Sequence, residues 1–126
     1  MNKFIKLIGL AAVFLLMAVP LQAEPNEATQ NVFQKLMGAT VSNNYDAFVA
    51  QCDATMKASL TKPMLEGVSR LIEPRASQAY EAEYLGELKK QGYQVHLWCL
   101  HFKDGGDDIL ATLSMKNGQA GGFYLK

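Results

Sequence analysis

Two histidines are the first residues of this chain that could do chemistry. His96 and His101 lie five residues apart in a segment rich in valine, tryptophan, leucine and phenylalanine. Such a segment is typical of a β-strand, whose side chains alternate between two faces, so the odd separation predicts that the two imidazoles point in opposite directions. They therefore cannot share a metal ion, no H-E-x-x-H motif is present, and we expect neither a metal site nor a cofactor. Each is expected to be a hydrogen-bonded sheet histidine, and His101, near the strand end, is the better candidate for acid–base work.

A second candidate is the carboxylate of Glu83, acting with Tyr84 or with Asp46. A carboxylate base and a hydroxyl donor form a common proton-transfer pair. Glu81, Glu83 and Glu87 are an even number of residues apart, so they should lie on one face of a regular strand. A solvated polar face on an edge strand is a simpler interpretation of this pattern than an acid–base site. Asp46 is likewise expected to lie in the first turn of a helix, where the helix dipole favours an acidic side chain.

Three aspartates surround a Gly-Gly pair at Asp104, Asp107 and Asp108. Their spacing lacks the alternating ligands and terminal glutamate of a calcium loop. Aspartate and glycine also suit a tight turn, which is the interpretation we adopt.

Residues 1–23 have the pattern of a cleaved signal peptide. Lys3 and Lys6 form a basic beginning, an apolar run extends to Val19, and Ala23 offers a small residue for cleavage. The run is short of the roughly 20 apolar residues that span a bilayer, so we expect export to the periplasm or medium and no membrane span after cleavage.

The remaining residues, 24–126, are enough for one domain. Removing the signal peptide takes away two lysines and no acid, which lowers the formal net charge from 0 to −2. A near-neutral domain lacks the excess of positive charge with which proteins bind nucleic acid, so no nucleic-acid partner is expected.

Cys52 and Cys99 are the only cysteines. Export would permit a disulfide between them. By restricting the unfolded chain, such a disulfide would stabilise the fold by about 4 kcal/mol. Both lie among apolar residues, where a free thiol behaves as a small buried hydrophobe. The sequence leaves both alternatives open.

The first half of the domain has helical periodicity, and we predict three helical segments. The first is capped by Asn26 and ends near the Ser42-Asn43-Asn44 cluster. A second begins at Tyr45, with Met56 and Leu60 extending it. The third is capped by Thr61 and stopped by Pro74, and the apolar side chains expected to face inward are Met64, Leu65, Val68, Leu71 and Ile72.

The second half predicts four strands joined by short turns, at residues 79–89, 93–103, 108–116 and 119–125. Asn117-Gly118 is the strongest hairpin signal in the chain. Short turns permit only antiparallel pairing, so we expect an antiparallel meander and an α+β fold.

The predicted second strand is apolar on both faces, which indicates that both faces are covered. Helices account for one face, so we expect the strip of Trp98, Leu100 and Phe102 to bind a second copy of the chain or a small apolar ligand, unless strong curling covers it. His101 and Tyr84 complete this candidate binding set.

The order of the predicted helices and strands, together with several short sequence segments, resembles the cystatin-like cone of the nuclear transport factor superfamily. Within that superfamily, the chain is most similar to a bacterial exported family of unknown function. The segments that carry this resemblance are residues 32–36, 43–48, 53–57, 60–63 and 115–123. The resemblance implies a curled four-stranded sheet around the helices with a pocket at the open end. Members include isomerases, dehydratases, non-catalytic binding domains and dimerising modules, and no catalytic residue carries over.

Three functional hypotheses follow. The first is a non-catalytic exported binding or assembly module, because no catalytic constellation is apparent. The second is a small-molecule isomerase or lyase, which requires titratable groups to converge in one cavity. The third is an inhibitor or immunity-type protein acting on an envelope protein.

Overall fold

The computed structural model describes residues 24–126, and their elements follow the predicted order. The signal-peptide prediction lies outside these residues. Four helices, α1 (Glu27–Val41), α2 (Tyr45–Val49), α3 (Ala54–Ser59) and α4 (Lys62–Ala76), precede four strands, β1 (Tyr80–Lys90), β2 (Tyr93–Phe102), β3 (Ile109–Lys116) and β4 (Gln119–Leu125). The α+β fold class is confirmed. None of the helices in this part of the chain is long and apolar enough to cross a membrane.

The predicted helix caps are present. The Asn26 side chain accepts a hydrogen bond from the backbone N–H of Thr29 at 2.8 Å, and Thr61 accepts one from Met64 at 3.3 Å. Pro74 does not stop α4 but lies inside it. A proline so close to the end of a helix removes only one intrahelical hydrogen bond, so the last turn can form around it.

The predicted second helix is divided into α2 and α3. Between them, Asp53 donates its backbone N–H to the carbonyl of Ala120, and Ala120 donates to the carbonyl of Gln51, both at 2.8 Å. The backbone here pairs with β4 instead of continuing the helix, and the Asp53 side chain caps α3. Tertiary pairing therefore overrides a helical pattern that continues to Leu60.

Helix α4 buries fewer apolar side chains than its spacing predicts. Leu65 and Ile72 are buried, whereas Met64, Val68 and Leu71 are exposed. The expectation that all five face inward is wrong, because α4 meets the rest of the fold along one narrow stripe.

The sheet is the predicted antiparallel meander, in the order β1-β2-β3-β4. Its two tight turns have left-handed backbone conformations, with φ of 55° and 85° at Gln91-Gly92 and of 53° and 77° at Asn117-Gly118. Paired positive φ values match the twist of the flanking strands, and asparagine and glycine tolerate them best.

A β-bulge interrupts strand β1. The pairing register with β2 shifts between Tyr84 and Gly86, and Gly86 has a φ of 131°. An extra residue in one strand reverses the faces of all side chains beyond it. Glu87 therefore lies on the opposite face from Glu83, and the prediction that Glu81, Glu83 and Glu87 share one face is wrong.

The core forms where α1 packs on β2. The ring of Phe33 stacks on Trp98 with centroids 3.9 Å apart and planes 9° apart. Trp98, Leu100 and Phe102 are only 1%, 0% and 7% exposed. The expectation that this strip lies on the uncovered face is therefore wrong, because it is the face that the helices cover.

The other face of β2 is the one without helices. It carries Val95, Leu97, Cys99 and His101, the last three partly exposed. Leu110 of β3, the cross-strand neighbour of Cys99, is 37% exposed. The two-faced apolar pattern is thus divided between a helix-covered core and a half-exposed outer surface.

The Phe33–Trp98 contact gives a test of this arrangement. Replacing Phe33 by alanine should lower the free energy of unfolding by about 3–5 kcal/mol, since it removes a buried aromatic ring. The matched control is Leu71→Ala, at a side chain that is 74% exposed, with an expected change within about 0.5 kcal/mol. Urea unfolding followed by Trp98 fluorescence measures both, and equal effects would contradict the packing.

Candidate functional site

A cleft of about 520 Å³ opens at the end of the sheet where the two tight turns lie. The first turn of α1 forms one wall, and strands β1 to β3 form the other. Polar and apolar surface line the cleft in similar amounts, and its polar side chains are those of Asn26, Thr29, Glu87, Gln94, His96, Lys116 and Asn117.

His96 is the most deeply buried titratable side chain of this cleft, at 3% exposure. Its Nδ1 lies 2.9 Å from the hydroxyl oxygen of Tyr84 and 3.4 Å from Oε1 of Glu87. Among residues 24–126, no hydrogen bond reaches its other ring nitrogen, Nε2. One side of the imidazole is therefore held by the protein, and the other has no hydrogen-bond partner among these residues.

The bulge in β1 creates this cluster. Glu87 pairs with His96 across β1 and β2, while Tyr84 pairs with Trp98. Without the extra residue between them, Tyr84 and Glu87 would lie on opposite faces of the strand. The bulge turns both towards His96.

The electrostatics keep His96 and Tyr84 neutral at neutral pH. Burial lowers the pKa of His96, although the charge of Glu87 opposes that shift. Burial also raises the pKa of Tyr84, and Glu87 adds to the rise. Where Nδ1 of the neutral ring donates to the Tyr84 hydroxyl, Nε2 carries the lone pair and accepts a hydrogen bond; where Tyr84 donates to Nδ1, Nε2 carries the proton and donates one.

His101 lies on the other face of the sheet, as its spacing from His96 predicts. Its Nε2 is 2.9 Å from Oε1 of Glu83, and its Nδ1 is 3.1 Å from Oδ1 of Asp108. The Sγ of Cys99 lies 3.9 Å from the same Nδ1. Hydrogen bonds to Glu83 and then Asp108 raise the pKa of His101.

The aspartate-rich segment after β2 is a turn, as predicted, and Arg75 of α4 holds it. The Arg75 guanidinium donates to Oδ2 of Asp104 at 2.8 Å and to the carbonyl of Asp107 at 2.6 Å. This contact keeps the pKa of Asp104 below its usual value. Asp108 alone among the three faces His101.

The two cysteines are free thiols in the structure. Cys52 lies in the core, where its thiol is 3.3 Å from the carbonyl of Phe48 and burial raises its pKa to about 11. Cys99 lies on the opposite, outer face of the sheet. The disulfide left open by the sequence is not formed, because the sheet separates the two side chains.

Four of the five candidate binding residues share the helix-covered face, where Tyr84 meets the Trp98 ring at 5.3 Å, but there they pack in or against the core and form no exposed apolar strip. The three apolar ones are core residues, Tyr84 belongs to the His96 cluster, and His101 lies on the outer face. Asp46 lines a separate depression beside Lys62. Sequence reasoning missed the role of Glu87, although a glycine inside a strand, Gly86, is a recognised signal of a bulge.

The opposite environments of the two histidines predict opposite titration behaviour. In an NMR titration, His96 should titrate below the ordinary value of 6.5 and His101 above it. His96 therefore destabilises the fold as the pH falls through 6.5 towards its own lower pKa, because the unfolded chain takes up this proton first. Equal midpoints for the two rings would contradict the assignment of their surroundings.

Comparison with known proteins adds little to this description. No family model matches the chain, and no curated protein matches it. Among solved structures, an uncharacterized cystatin fold protein from Novosphingobium aromaticivorans is similar over 76% of this chain and 95% of its own, with 12% identity and a TM-score of 0.38. At this level of similarity, nothing about the function of the chain follows from that protein.

Proposed function

We propose that the protein is exported after removal of residues 1–23 and acts as a non-catalytic binding module. Its binding site is the cleft at His96, and its ligand is a small polar molecule. The observation that carries this proposal is the buried imidazole, whose Nε2 has no hydrogen-bond partner among residues 24–126. A buried polar atom is ordinarily paired, so an unpaired one in a cleft favours a ligand.

The charged and amide side chains of the cleft favour a ligand with polar groups. Glu87 and Lys116 contribute opposite charges, and Gln94 and Asn117 supply both donors and acceptors. The volume of about 520 Å³ is within the usual range for small-molecule sites. The apolar strip suggested by the sequence is already packed under α1, which leaves it unavailable to an apolar ligand in this structure.

A second candidate function is proton transfer by an isomerase or lyase, with a small carbonyl compound as substrate. Tyr84 and Glu87 both contact Nδ1 of His96. In the tautomer in which Nδ1 donates to Tyr84, with the Glu87 carboxylate nearby, Nε2 carries the lone pair that a general base needs. This is the convergence of titratable groups that the catalytic hypothesis requires.

Ligand binding can be tested by NMR with mixtures of amino acids, monosaccharides, nucleosides and small keto acids at millimolar concentration. A ligand should shift the signals of His96, Gln94 and Thr29, and His96→Gln should weaken its binding at least tenfold. His101→Gln, on the opposite face, is the matched control and should bind normally. Absence of any shift at the cleft across all four classes would argue against the proposal.

The same samples separate binding from catalysis. In deuterated water, a base at His96 should exchange the carbon-bound protons next to the carbonyl of a bound keto acid, and His96→Gln should abolish this exchange. Binding without exchange supports the non-catalytic module. Exchange that depends on His96 supports the enzyme instead.

Export has its own test. When the full chain is expressed in a bacterial host, the processed protein should begin at Glu24 and appear in the periplasm or medium. N-terminal sequencing and mass spectrometry of each fraction measure this. A cytoplasmic protein that retains Met1 would overturn the export part of the proposal, and the proposal that the cleft binds a ligand would not be affected.

A further inference from the structure

We propose that Cys99, His101 and Asp108 bind Zn²⁺ on the helix-free face of the sheet, with Glu83 as a positioning residue. This site is separate from the cleft, because the sheet lies between them, and it does not depend on the proposed function. It also departs from the expectation of no metal site, which considered the two histidines as a pair and the three aspartates as a calcium loop, but not Cys99, His101 and Asp108 together.

The spacing of the three ligand atoms fits a tetrahedral metal. Oδ1 of Asp108 lies 3.1 Å from Nδ1 of His101, and Sγ of Cys99 lies 3.9 Å from the same nitrogen. All three atoms lie within 4.8 Å of one another. Typical zinc bond lengths in a tetrahedron imply separations of about 3.4 Å between nitrogen and oxygen and about 3.6 Å between sulfur and nitrogen. The nitrogen–oxygen and sulfur–nitrogen separations are each within about 0.3 Å of these values, whereas the sulfur and oxygen atoms, within 4.8 Å of each other, would move closer together as the metal binds.

Glu83 supplies the support that zinc-binding histidines normally have. Its Oε1 accepts a hydrogen bond from Nε2 of His101 at 2.9 Å. Zn²⁺ would replace the proton that Nδ1 shares with Asp108, and the bond to Glu83 would keep the remaining ring proton on Nε2. A carboxylate on the distal nitrogen fixes the tautomer and orientation of a ligating imidazole.

The fold holds these residues in place without a metal. Cys99 and His101 are two residues apart on β2 and therefore share a face. Glu83 is the cross-strand partner of Cys99 in β1. Arg75 anchors the turn that leads to Asp108 through its contacts with Asp104 and the carbonyl of Asp107.

The ligand set selects the type of cation. A thiolate and an imidazole favour Zn²⁺ over Mg²⁺ and Ca²⁺, which prefer oxygen ligands. The three side chains are partly exposed, which leaves room for water as the fourth ligand. Three protein ligands with one open position are a familiar zinc arrangement.

The test uses the reduced full chain, with Zn²⁺ and Co²⁺ as the probes. Zn²⁺ should bind with one equivalent by calorimetry, excess Mg²⁺ should not displace it, and Co²⁺ should give a thiolate charge-transfer band in the near ultraviolet. The band in the wild-type protein requires no variant, so it tests the site even if a variant fails to fold. A cobalt spectrum without thiolate ligation would overturn the proposal.

Four variants assign the ligands. Cys99→Ser should abolish the thiolate band, and Cys99→Ser, His101→Gln and Asp108→Asn should each lower Zn²⁺ affinity at least tenfold. Glu83→Gln should keep the band but lower the affinity by about 10–100-fold, as expected for a positioning residue. The matched control, Glu66→Gln, removes an exposed carboxylate of α4 that pairs with Arg70 and should bind as the wild type does. If Cys99→Ser retains wild-type affinity, the four side chains are only an ion-pair cluster around His101.

Discussion

The burial of Trp98 beneath helix α1 is the constraint on which the rest of the structure depends. Its ring stacks on Phe33 at 3.9 Å and meets the edge of Tyr84 at 5.3 Å. A slip of one residue in β2 would move Trp98 to the outer face and bring the partly exposed Leu97 or Cys99 into its place in the core. Because side chains alternate along a strand, an inward Trp98 also directs His96 inward and directs Cys99 and His101 outward.

This alternation gives the two faces of one strand different chemistry. On the inner face, His96 is buried beside Tyr84, and burial lowers its pKa. On the outer face, His101 lies in partial contact with water between Glu83 and Asp108, and those hydrogen bonds raise its pKa. The same residue type is thus harder to protonate on one face of the sheet and easier to protonate on the other.

The bulge at Gly86 is the second determinant of both sites. Before the bulge, Glu83 faces outward and reaches His101, and after it Glu87 faces inward and reaches His96. A regular strand would place both carboxylates on the same side. One inserted residue therefore supplies each histidine with its own carboxylate, which is consistent with the frequent occurrence of bulges near functional sites.

The sequence by itself determined the fold class, the helix caps at Asn26 and Thr61, the two tight turns and the opposite directions of His96 and His101. All of these depend on interactions between residues close in the chain, where periodicity and backbone preference dominate. Only the tertiary structure decided which face of β2 the helices cover, where the second helix breaks, and which carboxylate meets which histidine. Those outcomes depend on contacts between distant segments, namely Phe33 with Trp98, Ala120 with the backbone around Cys52, and β1 with β2 across a shifted register. A one-residue change in register reverses every later side chain, so local patterns could not determine the composition of either site.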